Sequence, residues 1–75
     1  MTLDEFVLRF AEEFDETPQE QFTAIAKFKS FEEWGSLTAL SIIAMVDDEF
    51  EKRITGADIR NCETIEDLYN LIQSK

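Results

Sequence analysis

Apolar residues recur at helical spacing near both ends of the chain, at Leu3, Phe6, Val7, Phe10, Ala11 and Phe14 and again at Ile65, Leu68, Tyr69 and Ile72. Steps of three and four residues line one face of an α-helix, so each stretch predicts a helix with one buried side. The first is expected over residues 3–15, with Asp4, Glu5, Arg9, Glu12 and Glu13 mostly outside the stripe. Thr2 followed by Glu5 has the spacing of a capping box, in which two unpaired amide donors at the helix start are satisfied reciprocally. Thr64 with Asp67 repeats that spacing ahead of the last helix. Thr55 with Asp58 offers it once more, for a very short helix that follows Ile54 and buries Ile59 and Cys62.

Around the middle, residues 36–51 run without Gly or Pro and predict the helix about which the rest is arranged. At roughly 100° per residue, Ala39, Ile42, Ile43, Val46 and Phe50 share an arc that faces a core. Leu37, Leu40 and Ala44 fall on a different ridge, with Ser41, Asp47, Asp48 and Glu51 beside them. A small monomer seldom exposes such a row without a partner surface for it. Lys52 and Arg53 are expected at the end of this helix, where cations complement its negative pole.

The pattern loosens over residues 15–35, yet a structureless connection of that length is uncommon in a small domain. Thr17-Pro18-Gln19-Glu20 and Ser30-Phe31-Glu32-Glu33 each offer the start of a short helical turn. Phe22, Ile25, Phe28, Phe31 and Trp34 are expected to fold the connection over the core. No strand alternation or hairpin dipeptide occurs. The expected fold is all-α: a single domain over residues 1–75, built as a small four-helix bundle of three longer helices and one short one, with a long connection between the first and second.

Seventeen acidic residues against seven basic ones give a formal charge of −10, which repels nucleic acid and anionic lipid and either favours basic patches on other proteins or serves solubility alone. No apolar run approaches the roughly 20 residues needed to span a bilayer. With no basic start of a signal peptide either, a cytoplasmic location is expected. Histidine is absent and cysteine occurs once. Catalytic triads, Cys-His pairs, histidine-ligated metals and an internal disulfide are thereby excluded. Cys62 at an apolar helical position reads as packing, and the acidic run 47–51 lacks the alternating ligands and glycine of a calcium loop. No catalytic constellation is recognisable, so an enzyme is not expected.

Ser36 has two readings. As a helix N-cap it would be ordinary. As an exposed hydroxyl at the positive end of a helix it would favour an attached phosphodiester, with Gly35 giving access and Leu37 an apolar neighbour.

Gly35-Ser36-Leu37, followed by an apolar helix ending in Asp47-Asp48-Glu49-Phe50, resembles the prosthetic-group site of the acyl carrier protein family. Ile54 and the pair Thr64-Ile65 match further, and the resemblance covers essentially the whole chain in element order and length. It implies that Ser36 carries phosphopantetheine received from coenzyme A through a phosphopantetheinyl transferase. The arm's thiol would then hold acyl groups as thioesters for acyl-transferring or condensing enzymes of fatty-acid, polyketide or related pathways. It also implies that Leu37, Leu40 and Ala44 form an apolar ridge that those enzymes grip, that Asp47, Asp48 and Glu51 meet basic patches on them, and that Ser41 lies on the same partner-binding surface. Ile43, Val46, Ile59, Cys62 and Leu68 would border a space that shelters the acyl chain. The chain departs from the family at Gly35, where Asp is usual, and at Ser41, where many relatives are acidic. The alternative is a non-covalent adaptor of the same fold that binds partners through the ridge with Ser36 unmodified.

Overall fold

Among residues 2–75, which the computed structural model describes, four α-helices form, and no strand. They are α1 (Leu3–Glu12), α2 (Ser36–Phe50), α3 (Gly56–Arg60) and α4 (Ile65–Gln73), with 3-10 turns at Gln19–Gln21 and Phe28–Ser30 in the long connection. The fold is the expected small helical bundle, in which α1 lies against α4 and α2 against α3.

Three of the helix starts are set locally. In α1 the Thr2 amide donates to the Glu5 carboxylate at 2.9 Å and the Glu5 amide to the Thr2 hydroxyl at 3.2 Å. Thr55 with Asp58 closes the same box on α3, and Thr64 with Asp67 on α4. Each satisfies two amides that a helix cannot pair internally.

The first helix stops at Glu12, short of the expected residue 15. The reason lies far away in sequence: the Glu33 carboxylate accepts the amides of Asp15 at 3.0 Å, Glu16 at 2.8 Å and Thr17 at 2.5 Å, and the Thr17 hydroxyl at 2.6 Å. Those donors point out of the helix because a better acceptor stands beside them. The Thr17 hydroxyl and the three amides hold the Glu33 carboxyl below its ordinary value of 4.5. A carboxyl lowered in the folded state stabilises fully above its unfolded pKa, and that contribution is lost as pH falls through the folded one. The thermal midpoint of Glu33→Gln is therefore expected below that of the parent chain at neutral pH. Melting curves at successive pH values should show the gap closing below about pH 4.5; a gap that is constant with pH would contradict this assignment.

Aromatic rings fill the space between the connection and the helices. Phe10 meets Phe28 edge-on at 5.3 Å, Phe14 meets Phe22 at 5.0 Å, Phe22 meets Phe31 at 5.1 Å and Phe28 meets Trp34 at 4.9 Å. Phe6, Phe10 and Phe28 are fully buried, Phe22 is buried, and Phe31 and Trp34 are half-buried. Ile25 departs from this pattern and is 76% exposed. Its neighbours explain why: the carbonyls of Ala24 and Ala26 accept the Glu66 and Ile65 amides at 2.9 and 3.2 Å, which fixes this segment on the start of α4 with Ile25 outward. Ser30 does not start a helical turn but ends one, its hydroxyl donating to the Lys27 carbonyl at 2.7 Å. The turn at Gln19–Gln21 follows Pro18 as cap, while the Thr17 hydroxyl is spent on Glu33 instead of on that turn.

On α2 the deepest side chains are Ile42, Met45 and Val46, with Ala39, Ile43 and Phe50 packed at the core's edge. The buried face is thus rotated toward Met45 from the expected arc. Apolar residues occur on nearly every side of this helix, so periodicity alone does not fix which side turns inward. Arg9 helps to fix it from α1, bridging to Glu49 at 2.8 Å as well as to Glu12 at 2.6 Å. The helix ends at Glu51 in the left-handed conformation (φ 56°, ψ 34°), whose amide donates to the Asp47 carbonyl. No cation sits in its last turn: Lys52 instead donates to the backbone carbonyl of Lys75, and Arg53 is exposed.

Candidate functional site

The residue that caps α2 is Gly35, in extended backbone, and Ser36 is the first residue of the helix. This corrects the N-cap reading of Ser36. Gly35 has no side chain to accept an amide, so α2 starts without the box that closes the other three helices. The first bond into the helix runs from the Ala39 amide to the Gly35 carbonyl at 2.9 Å. The amides of Ser36, Leu37 and Thr38 precede it and face out of the helix start. Ser36 is exposed, and among the described residues its hydroxyl has no hydrogen-bond partner.

Its position is held from behind. Trp34 packs on Phe28 and stacks on Phe14 at 6.4 Å, and its amide donates to the Phe31 carbonyl at 3.0 Å. The Thr38 hydroxyl donates to the Glu33 carbonyl at 2.7 Å, which fastens the first turn of α2 to the incoming strand of loop. The three residues between, Gly35, Ser36 and Leu37, are exposed.

Along the outer face of α2, Leu37 is 80% and Leu40 60% exposed, and Ala44 continues the row. Asp47, Asp48 and Glu51 are exposed at its far end, while Ser41 is half-buried beside it. The expected ridge and its acidic fringe therefore share one surface with Ser36. Sequence reading missed what adjoins them. A groove of about 380 Å³ runs beside the ridge, lined by Leu40, Ile43, Ala44, Asp47, Arg53 and Ile54. Ile54 was visible as an apolar residue after the helix; Arg53 gave no sign that it would turn back onto α2.

A second groove, of about 250 Å³, lies at Ser36 itself between the start of α2 and α3. Trp34, Ala39 and Ile59 form its apolar wall, Gly35 and Gly56 its open side, and Lys29 and Arg60 bring two cations to it. Nothing in the local sequence around Ser36 pointed to either cation. A larger depression lies elsewhere, in the connection, walled by Glu16, Glu32 and Glu33. The Glu33 carboxylate there is committed to the backbone of the connection.

Of the five residues expected to border an acyl space, Val46, Ile59, Cys62 and Leu68 are buried, and Ile43 lies at the surface groove. Burial pushes the Cys62 thiol up from its ordinary value, Asp67 and Asp58 push the same way, and Lys29 opposes them. The thiol stays protonated near neutral pH, as suits a packing residue. Among the described residues no group of three or more Cys, Asp or Glu is placed to hold a metal ion, and no helix is long and apolar enough to cross a membrane. Compared with protein-family models, curated proteins and solved structures, the chain matches none.

The open start of α2 invites one substitution. A Cβ added at Gly35 meets nothing within 4 Å, and the extended backbone there suits any residue. Gly35→Asp places a carboxylate where it can accept one of the outward amides, a gain of a few tenths of a kcal/mol over glycine. For a domain of this size that is a rise of about 2 °C in thermal midpoint, read by calorimetry. A fall would mean that the turn cannot hold a side chain.

Proposed function

We propose that this chain is an acyl carrier, with phosphopantetheine joined to the Ser36 hydroxyl and acyl groups held as thioesters on the arm's thiol. The observation that carries the reading is the free, exposed Ser36 hydroxyl at the amide-rich start of α2, which no side chain caps, in line with the exposed row Leu37, Leu40 and Ala44. A helix start of this kind favours a phosphate attached to it. Ser36 supplies the attachment oxygen: its Oγ bonds to phosphorus as the pyrophosphate of coenzyme A breaks, releasing the adenosine bisphosphate, and the hydroxyl proton leaves to a base of the transferase. The chain is not itself an enzyme in this reading. It works in the cytoplasm as a monomer.

Partners follow from the surface. A phosphopantetheinyl transferase and acyl-transferring or condensing enzymes with basic patches would meet Asp47, Asp48 and Glu51, while the apolar row seats against them. Charge of this kind speeds encounter and fixes orientation more than it adds affinity. Incubation with coenzyme A and a broad phosphopantetheinyl transferase is expected to add one arm to the intact mass and to leave Ser36→Ala unchanged. An unchanged parent mass, or a gain that survives Ser36→Ala, defeats the proposal. The exposure of Leu37 and Leu40 also suits an unmodified helical adaptor, whose partner affinity would be the same in Ser36→Ala.

A further inference from the structure

We infer that Lys29 and Arg60 seat the phosphodiester that joins the arm to Ser36, so that the first part of the arm lies in the groove against Trp34 instead of standing free in water. The inference rests on the carrier reading and adds to it where the arm goes. Seven basic residues serve a chain with seventeen acidic ones. Arg9 is paired with Glu12, Glu13 and Glu49, and Lys75 with Asp58, yet among the described residues neither Lys29 nor Arg60 has an acidic partner. Lys27, Lys52 and Arg53 have none either, but of these five cations only Lys29 and Arg60 line the groove at Ser36. Lys29 is also held against α3: its ammonium donates to the Arg60 backbone carbonyl at 2.8 Å. The Arg60 guanidinium stands over Gly56, 3.5 Å from where a Cβ would be. Glu63 shares a neighbouring depression with Lys27 and Lys29 and forms an ion pair with neither.

The groove's chemistry matches the near half of the arm in order. A phosphodiester bonded to Ser36 Oγ carries one negative charge and stays at Ser36, which lines the same groove as the two cations. The branched hydrocarbon that follows it in the arm meets Trp34, Ala39 and Ile59. Arg and Lys both donate charge-assisted hydrogen bonds to phosphate oxygens, and an anion placed here relieves the repulsion between them.

The sign of one measurement decides the matter. Modification adds a negative charge to a chain at −10, so an arm hanging free adds to self-repulsion and lowers the thermal midpoint. A phosphate seated between Lys29 and Arg60 raises it, by about 3 °C at low ionic strength. The rise is expected to shrink in 1 M salt and to reverse in Lys29→Gln/Arg60→Gln, each protein being compared with its own unmodified form. Trp34 is the single tryptophan, and acrylamide should quench it less in the modified parent than in the unmodified one. A modified parent that melts no higher, with unchanged quenching, overturns the seating and leaves the carrier reading intact. So does a rise that persists in the double variant. A parent that gains no mass defeats the carrier reading, and this inference falls with it.

Discussion

Phe10→Ala is expected to leave the chain without a cooperative thermal transition. Phe10 is fully buried, with Phe6, Phe14, Phe22 and Phe28 around it at centroid distances of 6.1, 5.4, 6.3 and 5.3 Å. It is the ring through which α1 reaches the connection on one side and the α1–α4 contact, by way of Phe6 and Tyr69, on the other. Truncating a buried Phe costs about 3–5 kcal/mol, because the transferred area is lost and a cavity is left. A single core of this size rarely supplies more than about 3–5 kcal/mol in total. The loss therefore equals the whole stability. Phe10→Leu keeps most of the volume and should melt cooperatively at a lower temperature, having lost about 1–2 kcal/mol. Near-ultraviolet circular dichroism, which reports fixed aromatic packing, distinguishes the two. A sharp transition in Phe10→Ala near the parent's midpoint would mean that the aromatic cluster is not what holds the bundle together.

On the carrier reading, Ser36→Ala is expected to abolish attachment of the arm completely and to leave the fold untouched. The two halves of that expectation have separate physical grounds. Because Gly35 and not Ser36 caps α2, and because the Ser36 hydroxyl has no partner among the described residues, removing the oxygen breaks no bond within the protein. At a first helical position Ala also has the better intrinsic propensity, worth up to about 0.5 kcal/mol. The variant should thus melt at or slightly above the parent's midpoint. On the carrier reading, intact mass then shows no gain with coenzyme A and a transferase. A missing gain in a fully folded variant cannot be put down to misfolding, which makes this the cleanest single test of the proposal. A melting point several degrees lower would instead point to an internal role for the hydroxyl.

The helix starts were legible because their signals are local. Thr followed three residues later by Glu or Asp satisfies donors within one turn, and at Thr2, Thr55 and Thr64 the sequence spacing and the bonds coincide. The end of α1 was not legible, since Glu33, the acceptor that draws off the Asp15, Glu16 and Thr17 amides, is brought there only by the tertiary fold. The same holds for Ile25, whose exposure follows from carbonyls that reach across to α4. Met45 was missed for another reason: α2 is apolar on too many sides for spacing to choose one. The ridge Leu37, Leu40, Ala44 and the position of Ser36 could be placed from one helix alone. The groove beside Ser36 could not, as it joins Lys29 of the connection to Arg60 of α3.

The exposed leucines and the excess of carboxylates also act on each other. A row of oily side chains in the open would draw two copies of the chain face to face, but Asp47, Asp48 and Glu51 lie at the end of the same surface and would be brought together as well. At physiological ionic strength, where fields reach about 8 Å, that mutual repulsion opposes the pairing of two such rows. Near 1 M salt the reach shrinks to about 3 Å. There the carboxylates oppose such pairing least and the exposed leucines weigh most.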